Sequence, residues 1–394
     1  MNVVQAKDDG SGQVVLNGTG HESGAGKSGG IRVIIAGGGT GGHLFPGVAV
    51  AEEIRRRHGG ARILFITGRR KLESDILKGS EYLQASINVE GLKGRGWRKG
   101  IITTLRLPIG LLQSFLIIHS FSPHLVLGVG GYSSGPVCLA ARIRGIPSAI
   151  HEQNSLPGLT NRLLSGIVNR VFISFEASRS HFKRQDLFLT GNPVRENIMS
   201  AEMHGEGDSG SFTILIVGGS QGARAINTAV VDALEILKER QRVPMVIHQT
   251  GEVDYPRVKE AYHMRGIFSE LLPFIQDMAS AYQKADIVVG RAGATTVAEL
   301  AALGKPAILV PYPHAANNHQ ETNARMLVDA GGAEMVLEKE LRGESLAGIL
   351  EKYMDDRTKL MGMGEKALKV GRRDAAGLIV DQLEAMMEVP RRKA

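Results

Sequence analysis

Ile31-Arg32-Val33-Ile34-Ile35-Ala36 runs directly into Gly37-Gly38-Gly39-Thr40-Gly41-Gly42-His43, and Phe212-Thr213-Ile214-Leu215-Ile216-Val217 runs into Gly218-Gly219-Ser220-Gln221-Gly222-Ala223-Arg224. Each stretch reads as a buried strand, a tight glycine turn and the start of a helix. That arrangement turns backbone N–H groups and a helix N-terminus toward an anion. Two such stretches in one chain predict two α/β domains, each able to hold phosphate.

The 394 residues are enough for two domains with full cores. An apolar content of 43% and a charged content of 22% are ordinary for a soluble globular chain. The net charge of +7 favours anionic partners: nucleotide phosphates, nucleic acid or an acidic membrane surface. Cys138 is the only cysteine, which excludes an intramolecular disulfide and fits a reducing compartment. No apolar run reaches the length of a spanning helix. The first residues lack the basic start and apolar stretch of a secretory signal, so the expectation is a cytoplasmic location.

Residues 1–30, rich in Gly and Ser, read as a disordered tail. Gly26-Lys27-Ser28 mimics a P-loop but fails its spacing, because His21 stands where the first glycine belongs. From Ile31 onward apolar strands alternate with helical segments. Strands are predicted at 31–36, 62–66, 125–129, 147–151 and 171–174, and, after a polar stretch from Ser200 to Ser211, at 212–217, 243–249, 286–290 and 306–310. This alternation implies parallel sheets covered by helices on both faces, with ligands outside the carboxyl ends of the strands. Residues 363–388 read as one helix, closed by Pro390 and basic residues.

The first turn contains G-x-G-x-x-G, yet Ile66-Thr67-Gly68-Arg69 stands where a dinucleotide fold needs its ribose-binding acid. His43, at the helix start, reads either as a residue bonded to nearby backbone or as a general base beside the cradle. His151-Glu152-Gln153-Asn154 closes an apolar strand with four polar residues, which need a ligand or a satisfied network. Gly130-Gly131-Tyr132-Ser133-Ser134-Gly135-Pro136 offers a further N–H cradle. In Arg291-Ala292-Gly293-Ala294-Thr295-Thr296-Val297-Ala298-Glu299, Thr296 and Glu299 have capping-box spacing. Glu299 reads equally as a cap or as a carboxylate for two ribose hydroxyls. Gln320 and Asn323 share a helical face, and their amides suit sugar hydroxyls. Trp97, Arg98, Lys99 and Ile101 lie in a segment free of acidic residues, a basic rim beside apolar side chains suited to a membrane surface. The stretch 109–118 that follows reads as a buried helix against the sheet. No pattern signals a metal site.

Taken together and in order, Gly37–His43, Gly130–Pro136, His151–Asn154, Gly191-Asn192-Pro193-Val194-Arg195, Gly218–Arg224, Arg291–Glu299 and Gln320–Asn323 resemble the MurG glycosyltransferases of bacteria, over roughly residues 31 to 385. The resemblance implies an α/β fold of two Rossmann-like, doubly wound domains facing across a cleft, the GT-B plan. It implies a tail at 1–30, an acceptor- and membrane-facing domain at 31–195, a donor domain at 196–362 and a C-terminal helix at 363–394, whose return to the first domain is one option. The implied reaction moves N-acetylglucosamine from UDP-GlcNAc to the 4-hydroxyl of the muramic acid in lipid I, giving lipid II for peptidoglycan synthesis, with inversion and without a cofactor.

Residue by residue, the resemblance implies Ser220 at the donor pyrophosphate, Glu299 at the ribose and the backbone of Ile275 at uracil. Arg195 falls near the nucleotide, and Asn154, Ala294, Thr295 and Gln320 near the sugar or its phosphates. Thr296, Val297, Ala298 and Asn323 complete the donor segments. Thr40, Gly41, Gly42 and His43 would face the reaction centre, with His43 and Glu299 as the catalytic pair. The position before Gln320 is His319, a departure from the glutamine the family also uses. The implied partners are UDP-GlcNAc, lipid I and the anionic inner-membrane surface, with a peripheral place on its cytoplasmic face and no nucleic acid. Alternatives are a related transferase with a diacylglycerol acceptor, a hydrolysing sugar-nucleotide epimerase and a basic membrane- or nucleic-acid-binding module.

Overall fold

The computed structural model describes residues 30–39, 41–69, 73, 76–78, 80–89, 96–201, 211–219, 221–315 and 318–388, with backbone alone for 96–107. The tail, Thr40, Ser220 and the polar stretch 202–210 lie outside the described residues. The chain divides into two compact units: one contains the chain up to Pro193 and again from Asp374, the other Val194–Arg373.

The first unit is built on a seven-stranded sheet in the order β3-β2-β1-β4-β5-β6-β7. Its strands are β1 (Arg32–Ala36), β2 (Arg62–Thr67), β3 (Leu83–Ser86), β4 (Leu125–Gly128), β5 (Ser148–Glu152), β6 (Arg170–Ile173) and β7 (Leu187–Leu189), all paired in parallel. β1 is apolar without interruption because both of its faces are covered. Ile34 and Ala36 enter one core and Val33 and Ile35 the other, so alternate side chains serve opposite faces. The order reverses between β1 and β4, and the first glycine turn leaves β1 at that switch point.

The second unit repeats the plan with six strands in the order β10-β9-β8-β11-β12-β13. They are β8 (Thr213–Val217), β9 (Met245–Gln249), β10 (Glu270–Leu272), β11 (Ile287–Gly290), β12 (Ala307–Leu309) and β13 (Ala333–Met335), again all parallel. The second glycine turn leaves β8, beside the reversal between β8 and β11. The helix Arg224–Glu239 buries Ile226, Val230, Ala233, Leu234 and Leu237 on the sheet, a 3.6-residue stripe.

Every interior strand falls where the sequence predicts one. The four that it misses, β3, β7, β10 and β13, are the four sheet edges. An edge strand is paired on one side only and incompletely covered, with at most one fully buried residue in each of these four, so no apolar run marks it.

The single helix expected over 363–388 is two helices, Arg357–Val370 and Ala375–Glu388. The break is at Gly371, where a Cβ would sit 2.5 Å from the Ala301 carbonyl oxygen, so the backbones approach too closely for any side chain. The first of the two packs on the helix Ala294–Leu303 in the second unit. The second belongs to the first unit, where Ile379, Val380, Leu383 and Met386 join the core of Val33 and Ile35. It is pinned to the helix Gly41–Arg57 by Arg57 on Asp381 (2.5 Å) and His58 Nε2 on Glu384 (2.9 Å).

Candidate active site

In the first unit the chain leaves β1 through Gly37 and Gly38, and Gly39 has φ +100°, open to glycine at little cost. A side chain of the same unit reaches into the turn. Glu73, buried, accepts the Gly39 N–H on Oε1 at 2.5 Å. A Cβ on Gly38 would lie 2.6 Å from the same oxygen, so the glycine makes room for the carboxylate. A side chain of the same unit thus takes one N–H of the turn.

His43 lies in the first turn of the helix Gly41–Arg57, half-buried, with Nδ1 3.0 Å from Gln153 Oε1. Its bond goes to a side chain on a different strand end, not to local backbone. Gly41 is buried and Gly42 exposed beside it. The loop after β4 is braced against the first glycine turn. Ser134 Oγ is bonded to the carbonyls of Ala36 and Gly130, each at 2.7 Å, and Gly131 packs on the backbone of Gly38.

The polar run after β5 resolves into two jobs. Glu152 folds the following loop: Oε1 accepts the Asn154 N–H (2.9 Å) and Asn154 Nδ2 (3.3 Å), while Oε2 accepts the Gly158 N–H (3.1 Å) and Asn161 Nδ2 (2.9 Å). His151 is buried between Gly191, Ser174 and Gln153, and loss of hydration pushes its pKa down to about 4.

In the second unit the turn after β8 closes by a Gly222 N–H bond to the Gly219 carbonyl at 2.9 Å, with φ +85° at Gly219 and +76° at Gly222. At the end of β9, Gln249 Nε2 donates to that Gly219 carbonyl (2.9 Å) and Gln249 Oε1 accepts the Ile275 N–H (2.9 Å). One buried amide therefore ties the glycine turn to the loop of Ile275. The neighbouring His248 sits between Tyr262 Oη (2.7 Å) and Asn227 Oδ1 (3.1 Å), with burial pushing its pKa down to about 3.

Glu299 is not a cap. The helix Ala294–Leu303 starts after Gly293, no side chain caps it, and Glu299 lies in its second turn. The carboxylate is buried: Oε1 takes Arg195 Nη2 at 3.3 Å and Oε2 the Tyr282 hydroxyl at 2.9 Å. Burial raises its pKa, against the opposing pull of Arg195 and the Tyr282 hydrogen bond. Ala294, Thr295 and Thr296 form the uncapped first turn of this helix, followed by Val297 and Ala298.

Arg291 donates to the carbonyls of Val310 (3.1 Å) and Pro311 (3.2 Å), pairs with Glu338, and lies over the Tyr312 ring. Gln320 Oε1 accepts the Tyr312 N–H at 3.0 Å. Asn323, fully buried, donates to the Ala292 carbonyl at 3.3 Å. These two amides share a helix face as expected, but both hold loop backbone here. His319, beside Gln320, is half-buried.

Trp97, Arg98, Lys99 and Ile101 belong to the first turns of the helix Gly96–Phe121. Further along that helix Ile109, Leu112 and Leu116 are 49%, 61% and 41% exposed, opposite the buried Ser114, Ile117, Ile118 and Phe121. The wholly buried helix expected at 109–118 thus has an apolar outer stripe.

Sequence reasoning passed over Glu73, Gln249 and Tyr282. Gln249 carried a usable signal: His248-Gln249-Thr250 ends an apolar strand in polar residues, as His151–Asn154 does. Glu73 and Tyr282 carried none, since only the fold brings them to Gly39 and Glu299.

Two Rossmann-like α/β units in one chain, each with its glycine turn at the switch point, define a GT-B protein. Residues 33–173 match the glycosyltransferase family 28 N-terminal domain, and residues 213–379 the C-terminal domain of that family. The chain is 46% identical to a UDP-N-acetylglucosamine–N-acetylmuramyl-(pentapeptide) pyrophosphoryl-undecaprenol N-acetylglucosamine transferase of Syntrophus aciditrophicus, over 91% of this chain and 99% of that one. It is 44% identical to the enzyme of the same name from Myxococcus xanthus, over 89% and 92%. The crystal structure of Acinetobacter baumannii MurG superposes with a TM-score of 0.71 at 31% identity, over 90% of this chain and 99% of that one. The chain belongs to glycosyltransferase family 28, in its MurG branch.

Proposed function

We propose that this protein is an inverting N-acetylglucosaminyltransferase that moves GlcNAc from UDP-GlcNAc to the 4-hydroxyl of the MurNAc of lipid I, forming lipid II for peptidoglycan. The observation that carries the reading is similarity along nearly the whole chain, at 46% identity, to a transferase named for that reaction. In this reading the second unit binds the donor. Ser220 and its turn meet the pyrophosphate, Ile275 the uracil and Glu299 the ribose. Arg195, the helix start at Ala294–Ala298, Gln320 and Asn323 frame the nucleotide and sugar. Thr40, Gly41, Gly42 and His43 of the first unit serve the acceptor and the chemistry, and Asn154 the sugar or its phosphates.

The acceptor oxygen attacks the anomeric carbon from the side opposite the phosphate. A new C–O bond forms, the bond to the phosphate oxygen breaks with its electron pair leaving on UDP, and the hydroxyl proton passes to His43. Backbone N–H groups and helix N-termini stabilise the charge growing on the departing diphosphate. A His43→Ala protein should lose at least about a hundredfold in kcat at saturating substrates. Near-normal turnover would remove His43 from this role.

We also assign the first unit to the anionic surface of the inner membrane, as a peripheral protein on the cytoplasmic face. Among the described residues no helix is long and apolar enough to cross a membrane. The exposed stripe Ile109, Leu112 and Leu116 lies on the same helix as Trp97, Arg98, Lys99 and Ile101, whose sequence joins apolar and basic residues. Flotation with vesicles containing phosphatidylglycerol tests it: a Leu112→Ser, Lys99→Ser protein should float less, and equal flotation refutes the assignment.

A further inference from the structure

His43 reaches backward into a chain of buried polar groups that ends on a main-chain carbonyl. Its Nδ1 lies 3.0 Å from Gln153 Oε1. Gln153 Nε2 lies 2.9 Å from the Val129 carbonyl oxygen and 3.1 Å from His151 Nδ1. His151 Nε2 lies 3.1 Å from the Gly191 carbonyl oxygen. All of these residues are in the first unit.

The directions of these bonds follow from which groups can only accept. The Gly191 carbonyl has no proton, and the Ser174 hydroxyl, 3.1 Å from the same Nε2, directs its hydrogen to the Glu152 carbonyl (2.9 Å), so His151 carries its hydrogen on Nε2. His151 is buried, and burial keeps it neutral, so its Nδ1 is a bare lone pair. That lone pair and the Val129 carbonyl both require donors, and the Gln153 NH2 lies within hydrogen-bond distance of each. The amide is thereby fixed with Oε1 toward His43. An amide oxygen can only accept, so the hydrogen of neutral His43 sits on Nδ1. Its Nε2 is left with the free lone pair.

Gly130 fits the same arrangement. Its φ is +89°, and a Cβ there would lie 2.8 Å from His43 Nδ1 and 3.4 Å from Gln153 Oε1. The position is kept empty where the two side chains meet.

We propose that Gln153, anchored by His151 and the Gly191 carbonyl, is a positioning residue that holds His43 in the Nδ1–H tautomer, so that Nε2 is the atom that accepts the acceptor's proton. This rests on the reading of His43 as the base. The logic is that of a catalytic histidine oriented from behind, with a neutral amide in place of a carboxylate. A neutral partner fixes the tautomer without adding a charge to the imidazolium that forms.

Nitrogen NMR of the full-length protein labelled at histidine separates the two tautomers, with a His43→Ala protein assigning the signal. The expected result is a protonated Nδ1 and an unprotonated Nε2 at neutral pH. A His43 protonated on Nε2 in the unaltered protein overturns the proposal, whatever the variants do. In Gln153→Met, kcat should fall at least about tenfold with donor KM within about threefold, and the His43 signals should shift to a mixture of tautomers. An unchanged His43 spectrum in a folded Gln153→Met also overturns it. If His43→Ala proves active, the base assignment fails by itself, while the NMR result still decides the tautomer.

Discussion

Arg195 Nη2 donates to Glu299 Oε1 across 3.3 Å, joining the start of the second unit to the helix Ala294–Leu303. The Tyr282 hydroxyl holds the other carboxylate oxygen, so the acid is oriented before any ligand arrives. Glu299→Ala leaves the guanidinium, with its side chain 15% exposed, without this partner. It should cost about 3 kcal/mol in urea unfolding. Tyr282→Phe removes one hydrogen bond to a charged group and should cost about 1.5 kcal/mol, with donor KM rising more than kcat falls.

Gln249 bridges the Gly219 carbonyl and the Ile275 N–H, so its removal disturbs two proposed donor-binding segments together. For Gln249→Leu the expectation is a donor KM raised about tenfold, a loss of roughly 1–3 kcal/mol of binding, with kcat changed far less. Steady-state kinetics against UDP-GlcNAc checks it. An equal fall in kcat at unchanged KM contradicts it.

The Glu73 carboxylate and the missing side chain of Gly38 are two halves of one fit. Gly38→Ala should destabilise the first unit by about 1–3 kcal/mol, since the new methyl meets Glu73 Oε1. In Gly38→Ala, Glu73→Ala the two losses should fall short of additive by at least about 0.5 kcal/mol. Additive losses in denaturant melts would show that the contact is not the cause.

His151 and His248, one in each unit, are held neutral by burial, with pKa values pushed down to about 4 and about 3 from 6.5. Below pH 6.5 the unfolded chain binds protons that the folded one refuses. Stability is therefore full above pH 6.5 and falls as pH drops, until the folded values are reached. The slope expected for each unit is about 1 kcal/mol per pH unit per histidine. Urea midpoints between pH 7 and 5 measure it, and His248→Gln should flatten the dependence of the second unit.

The cheapest signals in the chain were local. Nine interior strands and both strand-to-turn junctions could be read from apolar runs, glycines and spacing. Local rules also misled: the capping-box spacing of Thr296 and Glu299 marks no cap, because the helix begins at Ala294. The smooth pattern after residue 363 concealed the break at Gly371, which packs against the Ala301 carbonyl.

The amino-acid sequence by itself determined two parallel α/β units with a glycine turn leaving the switch-point strand of each. A strand covered on both faces and a turn needing positive φ constrain residue types within a few positions. Only the tertiary structure decided that Glu73 fills the first turn, that Gln153 stands behind His43 from 110 residues away, and that the last helix completes the first core. The partner of a buried polar group is whichever distant segment the fold delivers, and no short-range pattern records that choice.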